Sequence, residues 1–191
     1  RLQPSTLGSL EEHQLRILHI TDSHVSRFDE DPPHTHRMFS AMDNVEDKQS
    51  HLKKHPSEQL VALFQKAQAE KVDLIALGGD IINYPSEKDV AWALQQLKEV
   101  AGGIPFIYTA GNHDWHLEFV NEPRYDTSRV PQLQGTLRPF FDHAAGMSQS
   151  GLYGVHNVKG VDVFFFDNSN HQINEEQLAF AREHLTKPPK A

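Results

Sequence analysis

The sequence predicts an α/β fold built on a parallel sheet, and three observations carry that expectation. Short apolar runs at 15–20, 72–77 and 104–109 read as buried strands. Amphipathic helical segments precede the second run and separate it from the third. Each run closes on polar or glycine residues, the punctuation expected of strands joined by right-handed crossovers.

In chain order, Leu15 to Ile20 form the first strand and Thr21-Asp22-Ser23 supplies turn chemistry. Residues 25–56 are rich in Asp, His, Pro and Lys and read as an inserted loop, in which Met38, Phe39 and Met42 could anchor a short helix. His34, His36, His51 and His55 cluster there without regular ligand spacing. Ser57 is the expected cap of a helix whose Leu60, Val61, Phe64 and Ala67 share a face, ending near Lys71. The strand Val72–Leu77 stops at Gly78-Gly79. Ser86 with Asp89 resembles a capping box, and Val90, Ala93, Leu94 and Leu97 line the next helix up to Gly102-Gly103. The strand Ile104–Thr109 ends before Gly111. A loop follows, then a hairpin of Leu152–His156 and Val161–Phe166 around Asn157–Gly160, then a helix opened by Asn174 and Gln177 that runs to Leu185.

The 191 residues fit one domain, 1–191. A net charge of −8 removes the basic field that would draw in a nucleic-acid backbone, so local positive charge at an anionic substrate would come most compactly from bound metal ions. The absence of cysteine excludes disulfides, thiolate nucleophiles and Cys-type zinc sites. No segment approaches the length of a membrane span, and the start has no signal-peptide pattern. A chain beginning at Arg1 leads us to expect that residues upstream were trimmed.

Each of the three leading strands ends in metal-ligand residue types: Asp22 and His24, then Asp80, then Asn112 and His113. Ligands bind outside the carboxyl ends of strands in open α/β sheets, so the three clusters should converge. Carboxylate, imidazole and amide donors suit Mn, Fe, Zn or similar ions in a catalytic site. Gly79 and Gly111 would let the backbone turn sharply beside the ligands. Asp-x-His and Gly-Asp are common by chance, but Gly111-Asn112-His113-Asp114 is expected on the order of once in a thousand chains of this length.

Together, Asp22-x-His24, Gly79-Asp80 and Gly111-Asn112-His113-Asp114 resemble the calcineurin-like metallophosphoesterase superfamily. That resemblance implies an α/β/β/α sandwich and a two-metal site. By it, Asp22 and His24 would bind one metal, Asp80 would bridge both, and Asn112 would bind the second. His113 would donate a proton to the leaving group and Asp114 would orient it. The implied reaction is in-line hydrolysis of a phosphoester by a hydroxide that two metal ions, about 3.5–4 Å apart, activate.

The family pattern continues with a lone His and a Gly-His-x-His segment that supply further ligands, and neither occurs before Ala191. We therefore expect a domain incomplete at its C-terminus, its site completed by a missing segment or by a partner chain. His143, His156 and His171 are conceivable local substitutes, better read as core or surface residues. Asp80 is followed by Ile81-Ile82-Asn83-Tyr84 and the third motif ends in Asp114, which disfavours protein phosphatases; a Tyr four residues after Asp80, beside His24 in the first motif, disfavours purple acid phosphatases. The acidic charge and the Asp167–Leu185 segment favour a small-molecule phosphodiester or phosphomonoester, such as a nucleotide. The alternatives are a repair-type nuclease, which shares the motifs and Pro85-Ser86, and an inactive scaffold that binds protein.

Overall fold

The computed structural model describes residues 14–26, 55–115 and 130–185. Its elements are β1 (Ile17–Ile20), α1 (Pro56–Ala69), β2 (Leu74–Leu77), α2 (Glu87–Glu99), β3 (Phe106–Tyr108), α3 (Val130–His143), β4 (Tyr153–Val158), β5 (Val161–Phe166) and α4 (Glu175–Leu185). Strands β1, β2 and β3 form a parallel sheet in that order, with Ile17 opposite Leu74 and Ile75 opposite Phe106. The expected parallel core is present.

Alternation along the central strand assigns its two faces. Ile75 and Leu77 join the large core cluster with Leu60 and Phe64 of α1, Val90 and Leu97 of α2, and Leu137 and Phe140 of α3. Leu74 and Ile107 point the other way and pack against Phe165 of β5 with Val158 and Val163. A strand buried on both faces has no polar side to show, which is why 74–77 reads as an unbroken apolar run. On the far side of the antiparallel β4–β5 hairpin, Phe180 of α4 stacks on Tyr153 at 4.5 Å and contacts Phe164 and Phe166. The layers are therefore helices, sheet, hairpin, helix.

Local chemistry sets the element ends. Helix α1 begins earlier than Ser57: His55 is the cap, its Nδ1 accepting from the Ser57 N–H, and Pro56 takes the first turn where a missing N–H costs nothing. The cap of α2 is Ser86, whose hydroxyl accepts from the Asp89 N–H at 3.3 Å. At the start of α4, Asn174 Oδ1 accepts from Gln177 N–H while Gln177 Oε1 accepts from Asn174 N–H, a reciprocal capping box. The hairpin turns on Lys159 and Gly160, both at positive φ (50° and 82°), which matches the strand twist of a two-residue loop and carries β4 on to Val158.

Helix α3 was expected as loop. Pro139 lies inside it and Gly135 near its start, and these breakers hide a real periodicity in Leu137, Phe140, Phe141 and Ala144, all buried. Of the expected inserted loop 25–56, residues 27–54 lie outside the described residues, and His34, His36 and His51 with them. Its two ends belong to the framework: Val25 is fully buried and bridges to Ile82, and His55 caps α1.

Candidate metal centre

The parallel ladder continues past the strands and carries the motifs with it. Asp22 N–H donates to Gly79 O at 3.0 Å, His24 N–H to Asp80 O at 2.8 Å and Val25 N–H to Ile81 O at 3.0 Å. The first motif is thus laid along the second, residue by residue. Asp22, His24 and Asp80 have φ of 55°, 45° and 51°. Left-handed backbone is uncommon for residues with a Cβ, costs on the order of 1–3 kcal/mol each, and concentrates at functional sites. Here it turns three successive ligand-type side chains out of the sheet.

The third motif folds over the same point. His113 N–H donates to Asp80 Oδ1 at 2.8 Å, and Trp115 N–H closes the turn on Gly111 O at 3.1 Å. Gly79, at φ 96°, does turn the backbone, but Gly111 has a different reason to be glycine. A Cβ there would run into the Asp80 carboxylate and backbone nitrogen.

The result is a cluster in which one ligand atom each from His24, Asp80 and His113 lies within 4.8 Å of the others. The His24 and His113 rings meet edge to face at 4.5 Å. Asp22 stands at the rim, its carboxylate exposed, with Oδ1 3.8 Å from His24 Nε2 and Oδ2 accepting from the Thr21 hydroxyl at 2.6 Å. Asn112 is half-buried in the turn that carries His113. None of His143, His156 and His171 joins the cluster: His143 Nδ1 bonds its own helix at Pro139 O, His156 pairs along the hairpin with Val163, and His171 is exposed in a turn.

The sequence model of the family described as calcineurin-like phosphoesterase matches residues 15–187. The chain belongs to that family. No curated protein matched the chain as a relative. Calcineurin-like phosphoesterases hydrolyse phosphoesters with bound metal, and the residues of this one fit such an ion. His24 Nδ1 is buried with no hydrogen-bond partner among the described residues, a state that costs about 1–3 kcal/mol and that coordination would relieve. Imidazole nitrogen and carboxylate oxygen are the donor types that intermediate divalent ions accept.

Behind the cluster lies a buried acidic support. Asp114 is wholly buried; Oδ1 accepts from Ile82 N–H at 3.0 Å and Oδ2 from Gly111 N–H at 2.8 Å. Burial pushes its pKa up to about 7 against those two bonds, and the nearby Asp80 charge pushes the same way. Tyr108 beneath it is raised well above its ordinary range, first by burial and then by Asp114. Among the described residues its hydroxyl makes no hydrogen bond of good geometry, yet it lies close enough to Asp114 for the two to interact. The His113 ring faces elsewhere, with Nδ1 3.1 Å from the Asn83 carbonyl. A carbonyl only accepts, so the neutral ring carries its proton on Nδ1.

Tyr108, Asn83, Trp115 and Asp167 were not read from the sequence as parts of this site. Aromatic residues at the end of an apolar strand look like core, and Tyr108 and Trp115 are core as well. Only the fold brings Asp167, from the second sheet, onto Trp115.

Proposed function

We propose that this phosphoesterase hydrolyses a small-molecule phosphodiester or phosphomonoester at a site holding two metal ions, of the Mn, Fe or Zn kind. Asp22 and His24 would hold one ion, Asp80 would bridge, and Asn112 would hold the other. The observation that carries this reading is the convergence of His24, Asp80 and His113 within 4.8 Å at the ends of three parallel strands. The ions supply Lewis acidity and a strongly nucleophilic water at neutral pH.

The protein's own part is placement and proton supply. Asp80, gripped through Oδ1 by the His113 N–H, keeps the second and third motifs in register. His113 is fixed through Nδ1 on Asn83 O, and its protonated ring would deliver a proton from Nε2 to the departing oxygen. Asp114 acts on His113 indirectly, by holding Gly111 and Ile82 in place on either side of the turn. Because the His113 ring also lies within the cluster, a second reading makes it a ligand in its own right. The overall charge of −8 supports a compact substrate over a polynucleotide.

Hydrolysis of bis-p-nitrophenyl phosphate with added Mn²⁺ tests the proposal. Asp80→Asn should abolish turnover, and equal rates in variant and wild type would refute it. His113→Ala should depress turnover by about 10²- to 10⁴-fold with metal content intact by elemental analysis; loss of the metal would favour the ligand role instead.

A further inference from the structure

The turn carrying Asn112 and His113 is clamped in three ways. Two belong to the first sheet: His113 N–H on Asp80 Oδ1, and Asp114 on the Ile82 and Gly111 amides. The third reaches the other sheet, where the Trp115 indole N–H donates to Asp167 Oδ2. Asp167 directly follows β5 and is itself held at every polar atom. Its Oδ1 accepts from Ser169 N–H at 2.8 Å, its N–H donates to Leu152 O at 2.7 Å, and its carbonyl accepts from Gln177 Nε2 at 2.6 Å. Trp115 and Asp167 are 4% and 5% exposed, so water does not compete for their bond.

Packing alone does not call for this pair. Trp115 already stacks on Phe141 at 5.7 Å, and burying a carboxylate for two N–H partners is less stabilising than filling the space with an apolar side chain. What the carboxylate adds is direction: it aims the indole, and so sets the rotation of the turn two residues from His113. We infer that Asp167 is a positioning residue for the metal centre, acting through Trp115 to hold Asn112 and His113 against Asp80. This inference rests on the two-metal reading for its functional meaning, and couples the site to the hairpin and α4.

The test uses Trp115→Phe, which deletes the N–H and keeps the ring, Asp167→Leu, which deletes the acceptor at similar size, and the double variant. Mn²⁺ dissociation constants by isothermal titration, well below each melting temperature, should rise about 10-fold in each single variant. The double variant should be no weaker than the worse single one, because both break the same bond. In the metal-free protein, the ¹⁵N resonances of Gly111, Asn112, His113 and Asp114 should shift or broaden in both single variants. Variants that melt lower but keep wild-type Mn²⁺ affinity and wild-type resonances for those four amides would overturn the inference, as would additive losses in the double variant. If the wild type binds no Mn²⁺, the two-metal reading fails and the amide resonances alone decide this one.

Discussion

Asp114 shows how one residue can be readable as a motif and opaque as a mechanism. Its presence after Gly111-Asn112-His113 marks the family, but its role as a buried brace between two backbone amides depends on Ile82, which only the fold supplies. The carboxyl titrates near 7 in the folded protein against an ordinary value of 3.8. The folded state therefore binds the proton more tightly, so the group's contribution to stability is fully present below 3.8 and is lost as pH rises through about 7. In metal-free protein, Asp114→Asn should flatten the fall in melting temperature between about pH 4 and pH 8. Parallel profiles for wild type and variant would contradict that. The ligand types were legible at Asp22, His24 and Asp80 because they sit at strand ends. Their left-handed backbone was not, since it arises from pairing with a strand far along the chain.

Among the elements, the two strongest readings came from segments where capping and periodicity agree, as in α2 with Ser86 and in α4 with Asn174 and Gln177. Helix α3 failed because propensity and tertiary packing disagree there. Pro139 and Gly135 weaken the segment as an isolated helix, and burial of Leu137, Phe140 and Phe141 against the sheet overrides them. Gln177 has the widest reach of any capping residue here: besides its reciprocal bonds with Asn174, its amide donates to Leu152 O and Asp167 O. Gln177→Ala leaves two carbonyls without that donor, and should destabilise the fold by about 1–3 kcal/mol in urea unfolding. A loss no larger than a surface cap's few tenths would show that water replaces the amide.

At the scale of the whole molecule, the four-layer order follows from two face assignments, Leu74 and Ile107 toward the hairpin and Ile75 and Leu77 toward the helices. Both residues of each pair are apolar, so the sequence shows a buried strand without showing what covers each side. The candidate metal centre sits where the loops after all three parallel strands meet, so an ion bound there would tie together segments that the unfolded chain scatters. Saturating Mn²⁺ should raise the melting temperature by an amount that grows with the logarithm of metal concentration, equivalent to about 2.7 kcal/mol at a hundred times the dissociation constant, and EDTA should reverse it. An unmoved melting curve would mean no ion binds the folded state preferentially. The left-handed residues add a consequence for how such a protein can change over generations. Glycine at 22, 24 or 80 would relieve strain that is a sizeable share of a marginal stability of about 5–15 kcal/mol. A library selected for heat resistance alone would then enrich glycine at 22 and 24, where the third motif does not hang on the side chain as it does on Asp80, and on the proposed reading its most robust survivors would be inert.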